Sequence, residues 1–252
     1  MQENRLVLIT GATSGIGAAT ARLLARHGFR LILCGRRAHR LENLQEELGG
    51  LTPLKTLCFD ITRREEVEAA YNSLPPEWQK VDVLINNAGN AHGLDLIHQG
   101  QWADWEAMID LNLKGLLYIT RLVVPGMVER GRGHVINLGS IAGQDPYPGG
   151  NVYGATKAAV DMLTRGMRMD LYDKGVKVSV IQPGMVKTEF SLVRFKGDEA
   201  RARAVYEGCD PLLPEDVADL ILYMLQAPDR VNLAEVLILP KTQASVRLIA
   251  KR

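Results

Sequence analysis

Tyr153 and Lys157, four residues apart, and Ser140, thirteen residues upstream of the tyrosine, are the residue types that a proton-transfer site needs. A helix over 152–173 places the tyrosine and the lysine on one face as i and i+4 neighbours. A phenol with an ordinary pKa near ~10 is a poor base at neutral pH. A lysine ammonium at about 4 Å, with an effective dielectric of roughly 20, favours the phenolate by up to about 4 kcal/mol, or about 3 pKa units, before desolvation subtracts. That shift carries the phenol toward the range where acid–base transfer is efficient. Tyr-x-x-x-Lys alone is common by chance. Ser140, however, lies just past the apolar run 134–138, at the kind of strand edge where open α/β sheets bind ligands.

A second constellation handles anions. The run TGATSGIG (10–17) sets Gly11, Thr13, Ser14, Gly15, Ile16 and Gly17 between a strand pattern and a helix pattern. Glycines there permit a tight turn, let backbone N–H groups approach a pyrophosphate, and let the helix pack close to the sheet, with its N-terminus favouring the anion. The spacing departs from G-x-G-x-x-G, and a plain turn is the other reading. Roughly 20 residues on, where an acid would accept hydrogen bonds from a ribose 2′-hydroxyl, stand Cys34, Gly35, Arg36 and Arg37. Guanidinium groups suit a 2′-phosphate, so NADP is favoured over NAD. A solvated basic helix start continuing into Arg40 is the alternative.

Seven short apolar runs must position these groups: 5–10, 30–35, 54–60, 81–86, 134–138, 177–182 and 235–239. Between them lie stretches with apolar residues at helical spacing, such as Ala19, Leu23 and Leu24, then Leu41, Leu44 and Leu48. About six helices alternating with seven strands predict an α/β Rossmann fold, a doubly wound parallel sheet flanked by helices. No linker or repeat divides the chain, so one domain over 1–252 is expected. Residues 187–210 do not fit the alternation and read either as a lid over a site or as a helical excursion on the surface.

Composition excludes other classes. The 252 residues are 46% hydrophobic and 23% charged, ordinary values for a globular chain. Thirty Lys and Arg against 29 Asp and Glu leave no basic excess for a nucleic acid. No apolar stretch is long enough for a membrane span, and the opening MQENRLVLITG lacks the pattern of an export signal. Cys34, Cys58 and Cys209 read as reduced core residues, which points to the cytoplasm. The five histidines lack metal spacing, so no metal is expected. Trp102 and Trp105, at i and i+3, are expected to pack.

Taken together, these motifs resemble the short-chain dehydrogenase/reductase family. The matches are TGATSGIG, Asp60 closing the third strand, NNAG (86–89), Asn112 in LNLKG, Ser140, Tyr153 with Lys157, and PGMVKT (183–188). The resemblance implies that Asp60 contacts the adenine with Ile61 beside it, that Asn87, Ala88 and Gly89 line the cofactor, and that Pro183, Gly184, Val186 and Thr188 hold the nicotinamide amide. It implies Tyr153 as acid/base, Ser140 as the group that orients the substrate oxygen, Lys157 on the nicotinamide ribose and Asn112 holding a water in a proton relay. A homotetramer built through the helices starting near Asp104 and near Val152 is also implied, and the apolar stretch 236–250 could reach a neighbour.

Within that family, YPGGNVYGATKA (147–158) and TEFSLVRFKGD (188–198) look like NADP-dependent 3-hydroxy acid dehydrogenases acting on serine, allo-threonine or 3-hydroxypropionate. Arg194 or Lys196 is then expected to hold a substrate carboxylate; solvated lid charges or cofactor contacts are the alternative for both. Another carbonyl reductase of the family, of the 3-oxoacyl carrier-protein type, and a nonenzymatic NADP-binding sensor are the competing readings.

Overall fold

The computed structural model describes residues 4–251; residues 1–3 and 252 of the domain expected over 1–252 lie outside the described residues. Seven strands form one parallel sheet: β1 (Leu6–Thr10), β2 (Arg30–Gly35), β3 (Leu54–Cys58), β4 (Val83–Asn86), β5 (Gly133–Leu138), β6 (Val176–Pro183) and β7 (Glu235–Ile238). Their order, β3-β2-β1-β4-β5-β6-β7, reverses between β1 and β4, the crevice where open α/β sheets take ligands. Every residue of β1 and β4 is buried. Such strands, covered on both faces, must be apolar throughout, which is why LVLI and VLIN carry no alternation.

All seven expected strands form. Two boundaries move by two residues, as β3 stops at Cys58, so Asp60 stands in the loop beyond the strand rather than closing it, and β4 starts at Val83 rather than Val81; β1, β5, β6 and β7 shift by one residue at one end or both. The helices are α1 (Gly15–Arg26), α2 (Ala38–Leu48), α3 (Arg64–Asn72), α4 (Trp102–Ile109), α5 (Leu116–Glu129), α6 (Asn151–Leu171), α7 (Phe190–Arg194), α8 (Glu199–Ala204) and α9 (Pro214–Gln226). The long helix expected over 152–173 is α6, shifted by a residue or two. Between α4 and α5 the chain runs through a π-helical turn, Asp110–Gly115.

Two apolar layers hold the sheet. Leu24, Leu41, Leu44, Val217 and Ile221 pack on one face against Val7, Ile9 and Leu31. Leu8, Ile32 and Leu84 meet Val67, Ile119, Val123 and Met127 on the other. Buried polar groups near the edge are paired: Asn86 donates to Asn137 Oδ1 at 2.9 Å and to Thr120 Oγ1 at 3.0 Å, and Asn137 donates to Thr164 Oγ1 at 2.8 Å. These bonds tie β4 and β5 to α5 and α6, the elements that carry the site.

Residues 187–210 hold the short helices α7 and α8, so the segment is a helical excursion and also, through α7, a wall of the cleft described below. Of the cysteines expected in the core, only Cys34 is buried; Cys58 is exposed and Cys209 half-buried. Trp102 makes an edge contact with Trp105 at 5.0 Å but is itself 75% exposed. Among the described residues no helix is long and apolar enough to cross a membrane, and no cluster of three or more His, Cys, Asp or Glu could hold a metal ion.

Candidate active site

The C-terminal strand ends open into a cleft of about 880 Å³. One end is built on the β1–α1 turn. Gly11 (φ +65°) and Gly15 (φ +50°) adopt the left-handed conformation that a side chain disfavours. A Cβ on Gly11 would stand 2.9 Å from the Ala88 Cα, and one on Gly17 would stand 2.5 Å from Asn87 Nδ2. Asn87 donates to the Thr10 and Gly11 carbonyls at 2.9 and 3.1 Å, which locks the NNAG loop to the turn. Ser14 opens α1 without capping it through its side chain, and no acid lies in the first turn. The helix therefore presents unsatisfied N–H groups and its positive end to the cleft.

Thr13, Ser14, Gly15, Ile16, Arg36, Arg37, Asp60 and Ile61 line this end, and Asn87, Ala88, Gly89, Pro183, Gly184, Val186 and Thr188 line the passage onward. Gly17 is not on the surface of the cleft; it lies under the turn, where the close approach of Gly11 and Asn87 requires it. Asp60 accepts from the Thr62 backbone and hydroxyl at 2.9 and 2.8 Å, which, with Arg36 and Arg63 nearby, hold its carboxyl below the usual range against the opposing effect of burial.

The other end holds Ser140, Tyr153 and Lys157 together. Ser140 follows β5 in extended backbone and accepts from the Ala142 N–H at 3.1 Å, opening a short 3-10 turn. Tyr153, near the start of α6, is buried, with Phe190 edge-on at 5.5 Å. Burial pushes its phenol up to about 12, against the opposing pull of a hydrogen bond with Ser140 and of the Arg194 charge. Lys157 is not among the groups drawing the phenol down. Its ammonium donates to the Leu138 carbonyl at 2.8 Å, and burial lowers it to about 8, with Asp161 opposing. The expected lysine-lowered phenol is thus corrected: desolvation exceeds the cationic pull, and the cation that does act on the ring is Arg194, whose guanidinium lies 5.6 Å from the Tyr153 centroid.

Asn112 sits behind the cleft wall rather than on it. Its amide donates to the Asn90 carbonyl at 2.9 Å and the Thr156 hydroxyl at 3.0 Å, and its Oδ1 accepts from the Asn90 N–H at 3.0 Å. A Cβ on Gly89 would lie 3.1 Å from that Oδ1 and 3.2 Å from the Lys157 ammonium, so the two groups flank one point. The π turn that carries Asn112 widens the helix locally, a deviation common at functional positions.

Of the two lid cations, the structure brings in one. Arg194 lines the cleft, donating to the Tyr147 hydroxyl at 2.6 Å and the Gly93 carbonyl at 3.0 Å. Lys196 pairs with Asp104 at 2.9 Å and does not line the cleft; its place after α7, at φ +54°, sends it to α4. Tyr147, Phe190 and Glu189 line the cleft but were not singled out by sequence, although all three lie in the two quoted motifs. His92 also lines it, its pKa lowered by burial. Gln243, Val246 and Ile249 complete the wall, held by Met185 N–H to Gln243 Oε1 and Val246 N–H to Asp145 Oδ2, both 2.8 Å. The C-terminal stretch that could reach a neighbour thus also lines its own chain's cleft.

A sheet with this order, a glycine turn at the β1–β4 crevice and a Ser, Tyr and Lys grouped at the strand ends define a nucleotide-dependent oxidoreductase architecture, and a profile described as short chain dehydrogenase matches residues 5–198. The chain belongs to the short-chain dehydrogenase family. It is 47% identical over 248 residues to NADP-dependent 3-hydroxy acid dehydrogenase YdfG of Salmonella typhi, covering 98% of this chain and 99% of that protein. It is 45% identical over 240 residues to sulfoacetaldehyde reductase 2 of Chromohalobacter salexigens, covering 95% of each. Among solved structures, the closed form of serine dehydrogenase complexed with NADP+ superposes with a TM-score of 0.92 at 46% identity, covering 98% of this chain and 99% of that one.

Lys157 provides a stability test. Its folded-state pKa of about 8 lies below the unfolded value, so its contribution is present at high pH and lost as pH falls through 8. Urea unfolding is expected to show the parent protein gaining about 1 kcal/mol relative to Lys157→Met between about pH 7 and about pH 9. Equal changes in the two proteins would place the lysine in a solvated setting.

Proposed function

We propose that this protein is an NADP-dependent oxidoreductase acting at C3 of short 3-hydroxy acids such as serine, allo-threonine or 3-hydroxypropionate. The observation that carries the reading is the placement of a buried arginine-flanked tyrosine, Tyr153 between Ser140 and Arg194, at the end of a cleft whose other end is a glycine turn. The residues fit a phosphorylated dinucleotide. The close approach at Gly11 and the uncapped α1 N-terminus suit a pyrophosphate, and Arg36 and Arg37 suit a 2′-phosphate. When bound, the nicotinamide supplies the redox chemistry, taking or returning the hydride at C3.

The chain's own residues handle the proton and the geometry. Ser140 and Tyr153 hydroxyls hold the substrate oxygen, stabilising the charge that develops there. A phenol raised to about 12 rests protonated, so it is ready to donate to a carbonyl oxygen in reduction. In oxidation the phenol must first give up its own proton to solvent, and the phenolate, favoured by Ser140 and Arg194, then accepts the substrate hydroxyl proton. Lys157 and Asn112, flanking the point above Gly89, would hold the nicotinamide ribose and a relayed proton. Arg194 would also receive the substrate's acid group. The substrates named for two relatives share an anion one carbon from the reacting carbon, a carboxylate in a 3-hydroxy acid and a sulfonate in sulfoacetaldehyde. Sharing that pattern supports one cationic anchor beside the tyrosine.

Exposed apolar side chains support a homotetramer: Ile109 and Leu117 around the π turn, and Met162, Met169 and Tyr172 on and just after α6. Sedimentation at micromolar concentration is expected to give the mass of four chains; a monomer would overturn that assembly. Mixing protein, NADP+ and L-serine should yield NADPH absorbance, and Tyr153→Phe should lower kcat by roughly 10²–10⁴-fold. Retained turnover in that variant, or no signal across a panel of 3-hydroxy acids, would overturn the reading. Arg194→Ala should raise KM for serine by roughly 10–100-fold, the worth of a charge-assisted hydrogen bond, while KM for serine methyl ester changes little and kcat falls for both substrates because the phenol loses the Arg194 charge. An unchanged preference for the free acid removes Arg194 from that role.

A further inference from the structure

Two of the arginines at the β2–α2 junction are already holding an anion. Arg37 Nη1 donates to Glu189 at 3.0 Å, and Arg40 Nη1 donates to both Glu189 oxygens at 2.8 and 2.9 Å. Glu189 comes from far along the chain, one residue past Thr188 and directly before α7, and it lines the cleft. The rest of the Arg37 guanidinium is also committed: Nη2 donates to Thr13 and Ser14 hydroxyls at 3.0 and 2.8 Å, and Nε to Thr13 at 3.3 Å. Of the five N–H groups of that fork, four have partners. A phosphate is recognised best by two parallel N–H bonds from one guanidinium, so Arg37 can offer that fork only if a present partner lets go. The carboxylate is the partner that a phosphate dianion would also repel.

We infer that Glu189 is an internal competitor for the 2′-phosphate site, a carboxylate that occupies Arg37 and Arg40 and must yield them when a 2′-phosphorylated nucleotide binds. This rests on the NADP reading above. Its consequence is a deliberately weakened hold on NADP and NADPH: each departure is assisted by a carboxylate ready to retake the arginines, which favours nucleotide release, a step that often limits turnover. It also ties the nucleotide end of the cleft to α7, because the backbone that carries Glu189 carries Phe190 and Arg194 beside Tyr153 within five residues. The phosphate and the substrate wall are linked by one short segment.

Calorimetry on nucleotide-free protein tests this, using NADP+, adenosine 2′,5′-bisphosphate, NAD+ and 5′-AMP. The parent should bind the two 2′-phosphorylated ligands more tightly than their counterparts. Glu189→Gln, which keeps the shape and removes the charge, should tighten binding of those two by roughly two- to fivefold, the scale of partly exposed ion pairs, and leave NAD+ and 5′-AMP unchanged. No parental preference for the 2′-phosphate would overturn the NADP reading and the inference together. A parental preference with unchanged or weaker binding in Glu189→Gln, or equal tightening of all four ligands, would overturn the inference alone. Hydrogen exchange on the unaltered protein decides the same question without a variant. Amides of 189–194 should exchange faster with adenosine 2′,5′-bisphosphate than with 5′-AMP, and equal or slower exchange refutes the displacement.

Discussion

Withdrawal of water from the Tyr153 hydroxyl is the constraint from which the site follows. A buried phenol keeps its proton unless a neighbour stabilises the anion, and here burial outweighs both the Ser140 hydrogen bond and the Arg194 charge. The protein therefore holds an acid in place. Any group that arrives in the cleft and changes the field at the phenol changes its readiness to give or take a proton. The lysine is a separate matter: held on the Leu138 carbonyl at the end of β5, its ammonium is itself destabilised by burial and moved to about 8. Tyrosine and lysine lie on one helix and pull toward opposite ends of the scale, because burial favours the neutral form of each.

Holding such groups still requires a scaffold that does not give. Parallel strands buried on both faces supply it, and the polar ladder of Asn86, Asn137, Thr120 and Thr164 fastens β4 and β5 to the helices above the edge. A buried network of this sort rigidifies its surroundings, although the Asn86 Oδ1 is left without a partner in it. Asn112 belongs to the same economy. Its amide is bonded at both ends to Asn90 and to Thr156, whose hydroxyl in turn donates to the Tyr153 carbonyl at 2.8 Å. Asn112 thus braces the first turn of α6 as well as presenting an oxygen near Lys157.

Much of this was legible in the chain before folding was considered. Seven apolar runs became seven strands because a doubly covered sheet leaves no room for polar alternation, and the Gly-rich run became the crevice turn because Gly11 and Gly15 need positive φ. What was not legible depended on contacts between distant segments. No residue type announces a π turn, so the one over Asp110–Gly115 appears only in the fold. Spacing placed Lys157 on the tyrosine's face, but whether its ammonium meets the phenol or a carbonyl of β5 is decided by the depth of the strand edge. Arg194 and Lys196 are equal candidates by type; they stand two positions apart, and with Lys196 at positive φ one reaches Tyr147 and the other Asp104. His92 and the 243–249 stretch carry no motif at all and enter the cleft only through the fold.

The division of labour between fixed and variable parts of the cleft has a physical basis. Its floor is made from strand ends and the first turns of α1 and α6, whose backbone is fixed by the sheet ladder and by the helices it begins, so a change there disturbs the core. Its walls come from α7 and from the C-terminal stretch, joined to the floor by few bonds: Gln243 to Met185, Val246 to Asp145, Arg194 to Gly93 and Tyr147. Residues on such walls can be exchanged at small cost to the fold, which is why binding determinants concentrate on segments of this kind. Arg194 stands where the two regimes meet. Its charge reaches the ring of a floor residue while its backbone belongs to a wall, so the same guanidinium that would choose an anionic substrate also biases the proton affinity of the group that acts on it. If Arg194 receives the substrate's acid group as proposed, selection and acid–base readiness are physically coupled, and a change of substrate charge at this wall would alter the chemistry at the phenol as well as the affinity.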